Sequence, residues 1–408
     1  MLEADPGVAL IPGPDAAPQP YAQWRGLMVD SARTFWPMDV MRELLDLMAR
    51  YRFNRLHWHL TDDAGWRIDI PGYPRLMEVA SRLAREPFHW YTNTDAERRL
   101  EAIHAAPEGS THGSYSADDI AELLRHAARS GIEIMPEVDL PGHMGAVIRA
   151  YPELGDPALA QLPETEWTHR NDLLWPSERS ERFLRAVIDQ VCELFPHPVV
   201  HIGGDECDYA VWEADDALMA AMRARGLEGG PQIQGWFTDI ARDQLQRHGR
   251  TAAAWDELVE TPARGDELIF AWRGQGRGVS AAHGSGHPWI YADASRLYLN
   301  RVGGPEQTEP AGMTPGFGVR SILEDVRPPR SEQLRGIQAA VWTEFITGRE
   351  SLHHHLFPRL LAVAEVAWNG PGATSWEDFA PRMREEMERL AALGVQGRPL
   401  DQYTEHGV

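Results

Sequence analysis

The sequence predicts an α/β chain folded as a (β/α)8 barrel, and three observations carry that expectation. Eight short runs rich in β-forming and apolar residues alternate with amphipathic helical stretches. Polar and aromatic residues recur at the C-terminal ends of those runs, where barrels of this kind gather their chemistry. A length of 408 residues, 43% apolar with 15 Trp, suffices to bury one such barrel.

Taken in order, the runs are WRGLMVD, FNRLHWHL, GIEIMPEV, PVVHIGG, TAAAWDEL, ELIFAWRG, PWIYADASRLYL and IQAAVWTEF. Helices are expected over 37–51, 116–130, 181–195, 234–248 and 351–368, several opened by the Pro, Ser or Asp that suits a first turn. A last helix, over about 376–393, is expected to pack outside the barrel. Residues 1–20, rich in Pro, Ala, Gly and Asp, read as an extended arm; 21–372 then form the barrel, and 373–408 a C-terminal helix and tail. The long connection over 84–113, with Trp90 and Tyr91, reads either as a surface insertion or as a lid over the mouth.

Composition removes several function classes. A formal net charge of -22 repels phosphate backbones and anionic lipid surfaces, so neither nucleic acid nor a membrane is expected as a partner. All 39 basic residues are Arg, which excludes Schiff-base chemistry, a carbamylated lysine and a lysine general base. Cys192 and Cys207 are too few for a disulfide framework and belong to no zinc-binding pattern, so both are expected as thiols, with no metal and no cofactor. The first residues lack a basic stretch followed by an apolar one, and no apolar run is long enough to span a bilayer, which points to the cytoplasm or to a secreted form whose signal peptide has been trimmed. Nothing in the sequence sets an oligomeric state.

The ends of the runs supply the candidate site: Arg33; Asp62 and Asp63; Glu137, Asp139 and His143; Asp205 and Glu206; then Trp255, Trp272, Tyr298, and Trp342 with Glu344. HIGGDE, over 201–206, begins as a buried strand and passes two glycines before an acidic pair, so backbone there can approach a ligand closely. Cleaving a glycosidic bond takes a carboxylic acid at the leaving oxygen and a second group stabilising the oxocarbenium-like centre. Adjacent strand residues face opposite ways, so Asp205 and Glu206 serve together only if the strand is ending there. His57 and His59 alternate with Leu56, Trp58 and Leu60 and so share one face. Such a pair either starts a metal site or makes structural hydrogen bonds. Trp255, Trp272 and Trp342 at one rim suit a sugar pocket, because indole faces pack on the C–H patches of a pyranose.

These motifs, RGLMVDSARTFW, NRLHWHLTDDAGWRIDI, GIEIMPEVDLPGH, VVHIGGDE, AAWDEL, AWRG, LYLN and GIQAAVWTEF, resemble in order and spacing those of glycoside hydrolase family 20, the β-N-acetylhexosaminidases. The resemblance runs from about Gln23 to Trp368 and leaves out the small α/β domain that usually precedes the barrel. It implies an oligosaccharide substrate, an exo-acting pocket and retaining, substrate-assisted chemistry through an oxazolinium ion. Glu206 would be general acid and then base, while Asp205 and Tyr298 would hold the 2-acetamido N–H and carbonyl. Trp255, Trp272 and Trp342 would wall the acetamide pocket, Arg33 and Glu344 would bind hydroxyls, and Asp62 with His143 would support Glu206. Asn300 stands where most members have Asp, followed by Arg301; that pair resembles members accepting 6-sulfated N-acetylglucosamine. Two other classes stay in view, a sugar-binding barrel without activity and a metal hydrolase built on His57 and His59.

Overall fold

The computed structural model describes residues 19–84, 106–107, 109–158, 172–262, 265–305 and 309–400. The arm up to residue 18, Trp90 and Tyr91 with most of the 84–113 connection, and the tail from 401 lie outside the described residues. Eight parallel strands close a barrel: β1 (Trp24–Asp30), β2 (Arg55–His59), β3 (Glu133–Glu137), β4 (Val199–His201), β5 (Thr251–Trp255), β6 (Leu268–Ala271), β7 (Trp289–Tyr291) and β8 (Leu334–Val341). Sequence neighbours pair, and β1 closes on β8 with Trp24 opposite Gly336 and Val29 opposite Val341.

Pleating sends successive side chains to opposite sides of each strand. On β2, Leu56 and Trp58 join the apolar layer between strands and helices, whereas His57 and His59 turn to the barrel axis and meet Glu137. The inside therefore holds an apolar cluster containing Trp24, Met28, Met135, Phe270 and Ile290 together with fully buried His57, Glu137, His201 and Gln338.

Outside lie α1 (Met38–Arg50), α2 (Ala117–Arg129), α3 (Glu178–Leu194) and α4 (Gly230–Arg247), each near its expected place. Ser116 shows why α2 starts where it does: its Oγ accepts from the Asp119 N–H at 3.1 Å while the Asp119 carboxylate accepts from the Ser116 N–H at 2.9 Å. The helix expected over 351–368 is two, α5 (Arg349–Leu356) and α6 (Arg359–Asn369), because Pro358 lacks an N–H and its ring blocks the preceding turn. The seventh run also breaks. Asp293 accepts from the Ser295 N–H at 2.8 Å and starts the one-turn helix Ala294–Leu297, so Tyr298 follows a helix and reaches the sheet only through a bridge to Ala340. The last helix, α7 (Trp376–Ala392), does pack outside: its buried Glu386 binds Arg50 Nε at 2.8 Å and Tyr51 Oη at 2.7 Å at the end of α1.

Two features build the rim. Arg67, fully buried, donates to the carbonyls of Ser31, Ala32, Ser81, Thr111 and Gly113, so one guanidinium ties the loop after β1 to both described ends of the 84–113 connection. At β4 the chain turns through Gly203 (φ 65) and Gly204 (φ 92). A Cβ on Gly203 would stand 1.7 Å from Asp139 Oδ1, while the Gly204 N–H donates to that oxygen at 3.0 Å. The turn ends strand alternation just before Asp205, as the acidic pair requires.

Gly203→Ala combines a left-handed backbone with this collision, so it is expected to cost about 2 kcal/mol or more of unfolding free energy in chemical denaturation. A loss below ~0.5 kcal/mol, the range of an ordinary surface substitution, would contradict the close approach.

Candidate active site

The C-terminal ends of the strands surround a cavity open to solvent, about 400 Å³ with its open mouth included, lined by Arg33, Asp62, His143, Asp205, Glu206, Trp272, Tyr298, Asn300, Met313, Trp342 and Glu344. Of the twelve residues given a role by the family resemblance, ten thus meet at one cavity and two, Trp255 and Arg301, do not line it; nor do the other run-end candidates Asp63, Glu137 and Asp139.

Aromatic rings form one side. Trp272 and Tyr298 lie nearly parallel, at 10° with centroids 5.9 Å apart, and Trp342 stands 5.9 Å from Tyr298 at 56°. Trp272 is fixed by its indole N–H, which donates to Glu257 Oε2 at 2.9 Å, and by its backbone N–H to Asp256 Oδ1 at 2.8 Å. Trp255 sits a layer deeper. Only 1% exposed, it donates to Glu137 Oε1 at 2.9 Å and reaches Trp342 ring to ring at 5.9 Å, so it backs the wall instead of forming it.

Acidic groups form the other side. Asp205 is buried, and its Oδ1 meets no donor among the described residues. Burial pushes its carboxyl well above the usual range, reinforced by the charge of Asp139 beside it, and burial raises Asp139 likewise. The Glu206 side chain is 34% exposed. His143 Nε2 lies 3.6 Å from Glu206 Oε2 and 3.7 Å from Asp205 Oδ2. Both Glu206 and His143 have φ 50, a conformation uncommon outside glycine and enriched at functional sites. Burial opposes charge on His143, but the carboxylates of Asp62 and Asp63 outweigh it and hold the imidazole well above its ordinary value, so it is a cation.

Of the adjacent pair after β2, Asp63 is the residue hydrogen-bonded to His143: its Oδ2 is 2.9 Å from Nδ1, whereas Asp62 Oδ1 is 3.6 Å away. Asp62 instead binds Arg33 Nη2 at 2.8 Å and His59 Nε2 at 3.0 Å. Two neighbouring acids in one turn gave the sequence no means of dividing these tasks. Met313 was missed too, and no signal could have found it; it reaches the cavity through a bridge to Arg301, with its N–H donating to the Asn300 carbonyl at 3.0 Å.

Asn300 faces the cavity, 4% exposed, with Oδ1 meeting no donor among the described residues. Arg301 turns away: its Nε donates to the Ala294 carbonyl at 2.7 Å and its Nη1 to that of Pro315 at 3.0 Å. The guanidinium satisfies loop carbonyls, which corrects its expected place among the substrate-binding groups. His57 and His59 are hydrogen-bonded inside the barrel, to Gln338 at 2.9 Å and to Glu137 and Asp62, and neither lines the cavity. Burial drives His57 down to about 4, while Glu137 and Asp62 overcome burial at His59 and take it up to about 10.

A parallel barrel that gathers carboxylates, an imidazolium and stacked aromatics around one rim cavity has the build of a barrel glycosidase. The chain belongs to family 20 of the glycosyl hydrolases: the model of that family's catalytic domain matches residues 22–371. It is 30% identical over 392 residues to a β-hexosaminidase of Porphyromonas gingivalis, covering 94% of this chain and 48% of that protein. It is 31% identical to a β-hexosaminidase of Akkermansia muciniphila, covering 91% of this chain and 73% of the other. Among solved structures it resembles a GH20 exo β-N-acetylglucosaminidase from Vibrio harveyi in complex with N-acetylglucosamine, with TM-score 0.78 and 28% identity over 93% of this chain and 59% of that one. The chain thus spans about half the length of the Porphyromonas relative, 48% of it.

Burial pushes the Glu344 carboxyl up to about 7, against the pull of Arg33. A proton bound more tightly in the folded state stabilises the fold at low pH, and that contribution is lost as pH rises from the ordinary value near 4.5 through about 7. The stability of the wild type relative to Glu344→Gln is therefore expected to fall across that window in denaturant titrations. A flat or rising difference would mean that folding does not tighten the proton on Glu344.

Proposed function

We propose that this chain is a retaining exo-β-N-acetylhexosaminidase that cleaves terminal N-acetylhexosamines by substrate-assisted catalysis. The observation that carries the reading is the contrast between two adjacent carboxyls at one cavity: Asp205 buried with an acceptor oxygen lacking a donor, and Glu206 with its side chain 34% exposed at the rim. A buried acceptor suits an amide N–H, and an exposed acid suits the place where a leaving group departs and water arrives. The names of the relatives support the same substrate class.

In this reading the acetamido N–H donates to Asp205 while its carbonyl oxygen, oriented by Tyr298, attacks C1. The C1–oxygen bond breaks as Glu206 passes its proton to the leaving oxygen, giving an oxazolinium ion on the sugar. Glu206 then removes a proton from water, whose oxygen attacks C1; the ring reopens to the acetamide with configuration retained. Asp205 offsets the positive charge growing on the ring, and cationic His143 stabilises the Glu206 carboxylate between the two steps. Trp272, Tyr298 and Trp342 enclose the acetamide so that the attack is effectively intramolecular. Arg33 and Glu344 take ring hydroxyls.

At the far end, neutral Asn300 replaces a carboxylate, which removes a like charge from the path of a 6-sulfate. We extend the proposal to acceptance of 6-sulfo-N-acetylglucosamine alongside the neutral sugar; the support is Asn300 alone, since Arg301 serves the loop.

Three measurements test the reading. On aryl glycosides, the N-acetylglucosaminide should be cleaved and the plain glucoside barely, with a thiazoline analogue inhibiting competitively; efficient glucoside cleavage would sink substrate assistance. Glu206→Gln should lower turnover of poorly activated substrates by roughly 100- to 10,000-fold with the fold intact, and near-normal turnover would put the acid elsewhere. Asn300→Asp should reduce kcat/KM for the 6-sulfated aryl glycoside by on the order of 100-fold while sparing the unsulfated one. Equal changes on both, or no sulfated-substrate activity in the wild type, would remove the sulfate extension.

A further inference from the structure

We propose that Glu137 and His59, which lie inside the barrel and do not themselves line the cavity, are positioning residues for proton transfer at Glu206. The inference rests on the glycosidase reading above. Glu137 is fully buried at the end of β3 and is ringed by nitrogens: Trp255 Nε1 at 2.9 Å and His201 Nδ1 at 2.9 Å on Oε1, His59 Nδ1 at 2.5 Å and His57 Nε2 at 3.0 Å on Oε2. Barrel interiors are ordinarily filled with branched apolar side chains, and a carboxylate there carries a desolvation cost that packing alone would not call for.

What Glu137 does is set His59. The His59 ring meets a carboxylate at each nitrogen, Glu137 on Nδ1 and Asp62 Oδ2 on Nε2 at 3.0 Å, and only a doubly protonated ring donates to both. From Asp62 the line continues to the rim: Asp62 Oδ1 is 3.6 Å from His143 Nδ1, and His143 Nε2 is 3.6 Å from Glu206 Oε2. Asp62 also carries Arg33 at 2.8 Å, so a shift of its carboxylate would disturb both that guanidinium and the imidazolium beside the acid. The same pair supports the aromatic wall, since His59 stands edge-on to Trp342 at 4.8 Å and Glu137 holds Trp255 behind it.

Leaving-group dependence separates positioning of the acid from general packing. A 2,4-dinitrophenyl N-acetylglucosaminide departs with little protonation, whereas a disaccharide of N-acetylglucosamine needs the proton from Glu206. In Glu137→Gln the amide keeps the shape but withdraws the anion that holds His59. Turnover of the disaccharide is expected to fall on the order of 10- to 100-fold with KM nearly unchanged, while turnover of the dinitrophenyl substrate falls much less. His59→Gln, read the same way, should show the same split and decides the matter if Glu137→Gln does not fold. Equal losses on both substrates, no loss on either, a change confined to KM, or failure of both variants to fold would overturn the proposal and leave the pair structural. A wild type that cleaves neither substrate would refute the hexosaminidase reading itself, which is a separate outcome.

Discussion

A carboxylate taken out of water has to be met by donors, and the inside of this barrel is arranged around two that are. Asp30, at the end of β1, accepts from the N–H groups of Ala32 and Arg33 on one oxygen and from the N–H and hydroxyl of Thr343 on the other. Those bonds sit on the seam where the first strand meets the last, so satisfying one buried charge also closes the barrel and aims the loop that carries Arg33. Glu137 does the corresponding work across the axis, drawing β2, β4 and β5 together through His59, His57, His201 and Trp255. Removing either acceptor would leave several polar groups unpaired at once, so these positions are coupled in a way that apolar barrel layers are not.

The mouth works in the opposite sense. Burial pushes the carboxyls of Asp139, Asp205 and Glu344 above their usual range, while charge neighbours hold His143 above its own. Desolvation and the anionic field add at Asp205 but oppose each other at the imidazole of His143, where the field wins. Arg33, packed 5.1 Å over Trp342 and bound to Asp62, is the charge that does most to hold the buried Asp30 carboxyl below its usual range.

Periodicity made the strands legible, because a buried parallel strand writes its inward and outward residues in alternation and β2 does so without exception. Site membership was legible for a related reason: residues placed at the same end of successive strands have few places to go but the rim. What escaped the sequence was direction. Asn300 and Arg301 are neighbours, and only the carbonyls of Ala294 and Pro315 decide that the longer side chain leaves the cavity. Asp62 and Asp63 look interchangeable on paper, yet a turn of backbone gives one to Arg33 and the other to His143. Trp255 shares its strand-end position with residues that reach the cavity, and the pull of Glu137 on its indole keeps it a layer below. Boundaries also slipped where a single side chain intervened, at Asp293 and at Pro358.

Arg67 has a consequence beyond holding the rim. With Thr111 Oγ1 bonded to the Leu83 carbonyl at 2.6 Å and the guanidinium gripping residues 81, 111 and 113, the two stumps of the intervening segment are stapled side by side. Once both ends are pinned, the entropic cost of a longer or shorter insert grows only with the logarithm of its length, about 0.6 kcal/mol for each doubling. The two pinned ends therefore form a socket in which evolution, or a protein engineer, could exchange one segment for another of different length without disturbing the barrel beneath.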